Sequence, residues 1–274
     1  MAPITTIRIL GIVLLFTSLA ALPQASRAQI QNPTIASLPP SHVIAPAPSY
    51  SFPTEKYAFS VHWQFFNAGT STVMMQRTSA GLRVMATADS AGMADKIFRV
   101  HDIFNADVDP RTFCTLHVSK HNEEGPRRRD FEVALDYAHR KSQLDMRDLK
   151  TSETKHTEFD IPSCATDVVS GFFYVASLPL APGFSHTFPV NDNGKAIDAR
   201  IQVEGREAVK GPAGEFQTLR VKAEPISGPM KGKVTLLVWF TDDSRHIPVQ
   251  MKSKLAFATL LFQLQKPGPQ PSGK

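Results

Sequence analysis

The chain has 274 residues, a formal net charge of +5, nine histidines and two cysteines. A charge this small, without a recognised nucleic-acid-binding fold, argues against nucleic acid as a partner. Two cysteines without C-x-x-C spacing argue against a thiol oxidoreductase.

The first 28 residues have the pattern of a secretory signal peptide. Arg8 precedes an apolar run over residues 9–22, and the small-x-small triplet Ser26-Arg27-Ala28 follows that run. This order predicts cleavage after Ala28, so that residues 1–28 are removed. An uncleaved membrane anchor is the alternative, but the run is shorter than the ~20 residues that a spanning helix needs.

The signal pattern predicts export to the periplasm, with full secretion as the alternative. No cysteine stands at the cleavage junction, which excludes the usual bacterial lipoprotein anchor. No later apolar run is long enough to predict a transmembrane segment in the mature chain. Loss of Arg8 and Arg27 lowers the formal charge of +5 by two, so the mature chain is only mildly basic.

Proline content divides the mature chain. Residues 29–53 are rich in proline, serine and alanine and predict a disordered linker, and residues 267–274 predict a disordered tail of the same kind. Residues 54–266 remain for the fold. Their number suits a single β-rich domain, because single β domains often reach ~200–250 residues.

Alternation of apolar and polar residues predicts β-strands along most of this domain. The first strand covers residues 57–65, Asn67-Ala68-Gly69 predicts a turn, and residues 70–77 predict the partner strand. The same period-two pattern recurs at residues 131–137, 200–204, 234–241 and 247–252. With short connections, it predicts a mainly β fold: a large curved antiparallel sheet, an open or half barrel, with one or two short helices packed on it.

Two segments break the alternation and predict helices. Residues 91–98 predict a short helical turn. Residues 167–178 predict a longer helix with Val168, Phe172 and Val175 on one face and Thr166 or Asp167 as its N-cap. An apolar helix on the concave side of a curved sheet would cover a hydrophobic cavity.

Several strands carry apolar residues on both faces, and two interpretations of this remain open. The sheet could be packed on both sides, or one side could line a cavity for an apolar chain. The residues predicted to line such a cavity are Met74, Met75, Phe172, Phe173, Trp239 and Phe257.

Cys114 and Cys164 are candidates for a disulfide. An oxidising compartment favours their pairing, but the sequence leaves open whether their Cα atoms come within the ~7 Å that a disulfide requires.

The histidines do not predict a metal site or a cofactor. His117 and His121 have the spacing of a helical metal pair, yet they lie in a predicted strand, where four residues span ~13 Å. That separation is too great for two ligands that each bind one ion at ~2.1 Å.

Adjacent carboxylates near the end of the chain predict a turn rather than a catalytic dyad. Asp242 and Asp243 follow a strand, so their side chains face opposite ways, and Arg245 is placed to pair with one of them. No phosphate-binding loop, dinucleotide fingerprint or nucleophile elbow is present in the sequence. The one dense basic run, Arg127-Arg128-Arg129, is either a solvated turn or a contact for anionic lipid or polysaccharide.

An ordered set of short motifs resembles the bacterial family called domain of unknown function 3108, over residues 54–264. The motifs are Asn67-Ala68-Gly69, Phe98-Arg99-Val100-His101-Asp102, Asp109-Pro110, Gly211-Pro212-Ala213-Gly214-Glu215-Phe216, Trp239-Phe240-Thr241-Asp242-Asp243 and Arg245-His246-Ile247-Pro248-Val249. Pro212 and Gly214 suit a tight hairpin turn. The resemblance implies an exported, β-rich envelope protein, and it leaves the biochemical role unassigned.

Three functions are consistent with these patterns. The leading hypothesis is a non-enzymatic protein that binds a lipid or another envelope polymer in the concavity of the sheet. The second is a structural or protein-interaction module in the periplasm. The third is an envelope hydrolase, whose candidate residues are His101, Asp242, Asp243 and His246.

Overall fold

The computed structural model describes residues 50–64, 66–255 and 259–266. Within these ranges the chain forms fifteen strands and two helices, α1 (Gly92–Ile97) and α2 (Ser170–Ser177). The strands are β1 (Tyr57–Trp63), β2 (Phe66–Thr78), β3 (Gly81–Ser90), β4 (Val100–Val108), β5 (Thr115–Glu124), β6 (Arg127–Asp136), β7 (Lys141–Asp148), β8 (Thr154–Asp160), β9 (Thr166–Asp167), β10 (Ser185–Asp192), β11 (Lys195–Gly211), β12 (Gly214–Pro225), β13 (Val234–Thr241), β14 (Pro248–Leu255) and β15 (Thr259–Leu264).

All fifteen described strands belong to one sheet. Its order runs from β8 back to β1, continues through β15, and then runs back from β14 to β9. Every pairing is antiparallel except the short parallel contact of β9 with β10. Because most neighbours in space are also neighbours in sequence, short turns suffice to connect them.

The sheet curls but stays open. In the described ranges its outer strands, β8 and β9, form no ladder with each other, so the sheet is not closed into a barrel. The turn between β10 and β11 reaches across the gap, where Lys120 Nζ donates to Asn193 Oδ1 at 2.9 Å and Ser142 Oγ donates to the carbonyl of Gly194. Side chains therefore join the two ends of the sheet where backbone pairing does not.

The concave face of the sheet is the hydrophobic core. Burial alternates along the strands as the period-two pattern predicts: Tyr57, Phe59 and Val61 are buried in β1 while their neighbours are half-exposed. The predicted fold, a mainly β protein built on a large curved antiparallel sheet with two short helices, is confirmed.

Helix α2 occupies the concave side. Every residue of α2 except Phe172 is buried. The helix begins at Ser170, later than predicted, because Thr166 and Asp167 pair with β10 as strand β9. Asp167 still binds the helix N-terminus, since its Oδ1 accepts hydrogen bonds from the backbone amides of Val169 and Ser170, both at 2.8 Å. Neither helix among the described residues is long and apolar enough to span a bilayer.

The predicted turn at Asn67-Ala68-Gly69 is wrong, because these residues lie inside β2. The chain reverses before them, at Gln64, and the pairing of β1 with β2 shifts register between Val61 and His62. Gly69 has φ +156°, and a Cβ there would lie 2.0 Å from the carbonyl oxygen of Asp89. A glycine is required at this position because two strands approach closely, not because the chain turns.

The packed part of the chain starts before the predicted domain boundary at residue 54. The ring of Phe52 lies 5.3 Å from that of Phe113 and 5.4 Å from that of Tyr50, measured between centroids. Burial of these rings explains why residues 50–53 join the domain. The predicted signal peptide, the rest of the linker and the tail lie outside the described residues.

Candidate apolar binding site

A cavity of about 140 Å³ lies between α2 and the inner face of strands β10–β15. Its wall is almost entirely aliphatic or aromatic. The helix side and the strand side contribute, among others, Val168, Phe172, Val175, Ile201, Val238 and Phe240.

The helix supplies one wall because its apolar residues share a face. Val168, Phe172 and Val175 were predicted on one face from their spacing, and all three border this cavity. The strands supply the opposite wall through alternate positions. In β13, Val238 and Phe240 border the cavity, whereas Trp239 between them points to the convex side.

The two acidic residues at the cavity are already bound to other groups of the protein. Both carboxylate oxygens of Asp167 are engaged, one by the α2 amides and the other by the Thr115 hydroxyl at 2.8 Å. Glu224 pairs with Lys222 at 2.7 Å and with Arg200 at 2.5 Å, and these bonds lower the pKa of its carboxyl group. The cavity therefore offers an occupant mainly apolar contact.

A second cavity, of about 40 Å³, lies on the other side of α2. Phe173 and Ala176 of the helix border it, together with Tyr50 and Pro53 of the segment that precedes β1. Two side chains, Phe172 and Met251, border both cavities.

Helix α2 is fixed at its N-terminal end to strand β5. A disulfide joins Cys114 to Cys164, whose Cα atoms are 5.2 Å apart. Directly after this bond the Thr115 amide donates to the Ala165 carbonyl at 2.9 Å, and the Tyr137 hydroxyl lies 2.9 Å from the same carbonyl oxygen. Burial raises the pKa of Tyr137, so this hydroxyl stays protonated.

The C-terminal end of the helix is fixed separately. His246, in the turn between β13 and β14, donates from Nδ1 to the carbonyl oxygen of Ala176 at 2.6 Å. A helix of only eight residues is not stable by itself, so these contacts and its burial hold it in position.

The structure distributes the residues predicted to line a cavity over several environments. Phe172 and Phe173 border the cavities described above. Met74, Met75 and Trp239 are not among the bordering residues: Met75 is buried in β2, and Trp239 donates from Nε1 to Glu207 on the convex side. Phe257 lies outside the described residues.

The residues predicted to form turns late in the chain lie in two separate turns, one between β11 and β12 and one between β13 and β14. Pro212 stands between β11 and β12, and Gly214 begins β12 with φ +135°. Arg245 pairs with Asp243 at 2.9 Å, while Asp242 pairs with Arg206 at 2.6 Å.

The candidate hydrolase residues are not brought together. His101 binds Asp89 at 2.6 Å, His246 binds the Ala176 carbonyl, and Asp242 and Asp243 each bind a different arginine. In the ranges that the structure describes, no three His, Cys, Asp or Glu side chains have the arrangement of a metal site. His117 and His121 both lie in β5 and pair with Glu132 and Asp130.

Buried carboxyl groups were not anticipated from the sequence, and two of them lie in neighbouring strands. Asp102 in β4 and Glu124 in β5 lie on the concave face, and each has a buried oxygen without a hydrogen-bond partner. Burial raises the pKa of Asp102 to about 7 and that of Glu124 to about 8. The signal was present in the alternation, since Asp102 falls in step with Val100 and Phe104, which face inward.

These features define a class: a β-rich protein whose single curled sheet surrounds a short apolar helix and leaves an apolar cavity beside it. The chain belongs to the family described as protein of unknown function DUF3108, which matches residues 58–265. The resemblance inferred from the motifs is thus confirmed. Among curated proteins, nothing matches the chain.

The solved structures to which this chain is similar are distant in sequence. A β-barrel-like protein of domain of unknown function DUF1849 from Brucella abortus superposes with a TM-score of 0.52 at 8% identity, over 77% of this chain and 95% of that one. A candidate exported protein with a YmcC-like fold from Bacteroides fragilis superposes with a TM-score of 0.32 at 11% identity, over 79% of this chain and 98% of that one. A candidate lipoprotein from Parabacteroides distasonis superposes with a TM-score of 0.29 at 11% identity, over 78% of this chain and 96% of that one.

Proposed function

We propose that this protein is an exported envelope protein that binds the hydrocarbon chain of a lipid in the cavity between α2 and strands β10–β15. The observation that carries the proposal is the cavity itself, of about 140 Å³ with a nearly continuous apolar wall. An engineered apolar cavity of ~150 Å³ in another protein stays dry and binds benzene. A cavity of this size and lining therefore suits a short stretch of hydrocarbon.

The proposed location rests on two features of the chain. The first 28 residues have the pattern of a secretory signal peptide. The Cys114–Cys164 disulfide suits an oxidising compartment, because structural disulfides persist outside the cytosol. An acyl chain is an abundant apolar ligand at the cell envelope, which supports lipid as the ligand class.

The proposal is tested by filling the cavity. Ala223 borders the cavity from β12, and Ala223→Phe adds a phenyl ring to this space. We expect the purified wild-type protein to bind dodecanoate. Binding is measured by titration, as the displacement of an environment-sensitive apolar dye from the protein. Ala223→Phe should lower the affinity at least about tenfold, because the ring occupies the volume that the chain would use.

The matched control is Ala208→Phe, which places the same ring on the exposed face of β11. This control should bind like the wild type. Thermal unfolding of both variants shows whether they are folded, and Ala199→Phe, at another cavity-lining position, replaces Ala223→Phe if that variant is not. Equal affinity of the wild type and a folded cavity-filling variant would remove the proposal.

The hypothesis of a protein-interaction module stays a prediction. It places partners on an exposed sheet edge or on the proline-rich residues 29–53, of which residues 29–49 lie outside the described residues.

A further inference from the structure

We propose that Phe172 is a gate between the two cavities beside α2 and that it sets the length of the hydrocarbon chain that the protein accepts. This inference rests on the proposed function and adds a specificity determinant to it. With the Phe172 ring in its present position, the hydrocarbon chain can occupy only the larger cavity. With the ring displaced, the hydrocarbon chain can extend into the smaller cavity.

Phe172 is the one residue of α2 that is not buried, although it lies in the middle of the apolar interior. The reason is that its ring borders open space on two sides, the cavity of about 140 Å³ and the cavity of about 40 Å³. Close-packed interiors hold an aromatic ring in one rotamer. A ring with space on both sides lacks that constraint and can change its χ1 angle without displacing its neighbours.

Met251 is the other side chain shared by the two cavities, and it belongs to β14 on the sheet side. Methionine has three rotatable side-chain bonds and adapts to irregular gaps. An aromatic ring from the helix and a flexible thioether from the sheet thus form the partition. Both can move aside without any change in the backbone.

The helix itself is held in place, which is why we assign the gate to a side chain. The Asp167 carboxylate accepts a hydrogen bond from the Ser170 amide at the start of the helix, and His246 binds the Ala176 carbonyl near its end. The disulfide at Cys164 anchors the segment that leads into the helix. Movement of the whole helix would break these contacts, whereas rotation of Phe172 breaks none of them.

Past the gate lies the smaller cavity. Tyr50 and Pro53 border the smaller cavity, with Arg245 and His246 beside them. The joined space has a mainly apolar lining, and a linear saturated chain is the chemical class that we assign to it.

The test compares octanoate, dodecanoate and hexadecanoate on the wild-type protein and on Phe172→Ala, by displacement of the same apolar dye. We expect Phe172→Ala to raise the affinity for hexadecanoate relative to octanoate about tenfold, because removal of the ring joins the two cavities permanently. Phe172→Trp should shift the ratio the other way, since a larger ring closes the partition.

The matched control is Val175→Ala, which shortens a side chain on the same helix face that borders only the larger cavity. It should change the affinity for all three chains by a similar factor. If the wild type binds none of the chains, the proposed function fails together with the gate. If the wild type binds them and neither Phe172 variant changes the chain-length ratio, the gate is wrong and the proposed function stands.

Discussion

At the scale of single residues, the concave face contains a group of buried polar side chains. Asp102 and Asn122 are paired across β4 and β5, and Glu124 lies two residues beyond Asn122 on the same face. Each of the three has a buried oxygen without a hydrogen-bond partner. Burial of an unpaired charge is costly, so these carboxyl groups favour their neutral forms.

Asp102→Asn should change how stability depends on pH. Burial raises the folded-state pKa of Asp102 from 3.8 to about 7. The neutral form is therefore favoured in the folded protein, and stability is lost as the pH rises from about 4 through about 7. Asparagine has no such charge, so the variant should lose less stability than the wild type between those pH values, by roughly 2–4 kcal/mol.

Urea unfolding at a series of pH values measures this difference. Asp107→Asn is the control, because Asp107 is in the same strand but pairs with Arg83 at the surface. A wild-type protein whose stability is flat over this pH range would contradict the prediction. Glu124, with a pKa raised to about 8, extends the expected window upward.

At the scale of elements, the position of α2 matters most, because the helix forms one wall of both cavities. The sequence predicts this helix from its spacing and from the prolines that follow it. Its first turn could not be predicted correctly, because pairing of Thr166 and Asp167 with β10 is a long-range contact. The residues opposite the helix could not be predicted either, since alternation identifies the inward face of a strand but not which other element it meets.

Removal of the disulfide should weaken this element. Cys114 and Cys164 are separated by 50 residues, and a cross-link that closes a loop of this length stabilises a protein by about 3–4 kcal/mol. The double variant Cys114→Ser, Cys164→Ser should unfold at a correspondingly lower denaturant concentration. Its affinity for dodecanoate should also fall, because the segment that leads into α2 loses its covalent attachment to the segment before β5.

A reducing agent provides the internal control. It should lower the stability of the wild type and leave the double variant unchanged, as measured by denaturant unfolding with and without reductant. Equal stability of oxidised and reduced wild-type protein would show that the hydrogen bonds of Thr115 and Asp167 suffice to hold the helix.

At the scale of the whole molecule, the sheet is closed by side chains rather than by a backbone ladder. Lys120 is buried in β5 and donates to Asn193 in the turn between β10 and β11. Gly194 in the same turn has φ +85°, and a Cβ there would lie 2.8 Å from the ring of Phe159 in β8. The turn thus fits closely against the opposite edge of the sheet, which keeps the curled shape.

Lys120→Met should loosen this closure. The methionine keeps much of the apolar stem but removes the hydrogen bond to Asn193. Hydrogen–deuterium exchange should quicken in β8 and in the turn between β10 and β11, and should stay slow in the pairing of β1 with β15, which lies in the middle of the sheet. Lys222→Met, on the convex face, should alter neither region. Uniform exchange across the sheet in the Lys120 variant would contradict this account of closure.

The sequence by itself determined the mainly β fold, the curved antiparallel sheet and the presence of short helices, because alternation and turn residues act over a few neighbouring positions. The family also follows from short motifs in their order. Only the tertiary structure decided which side chains border the cavities and that Cys114 meets Cys164. Each of these depends on contacts between residues far apart in the chain, which arise only when the sheet curls around α2.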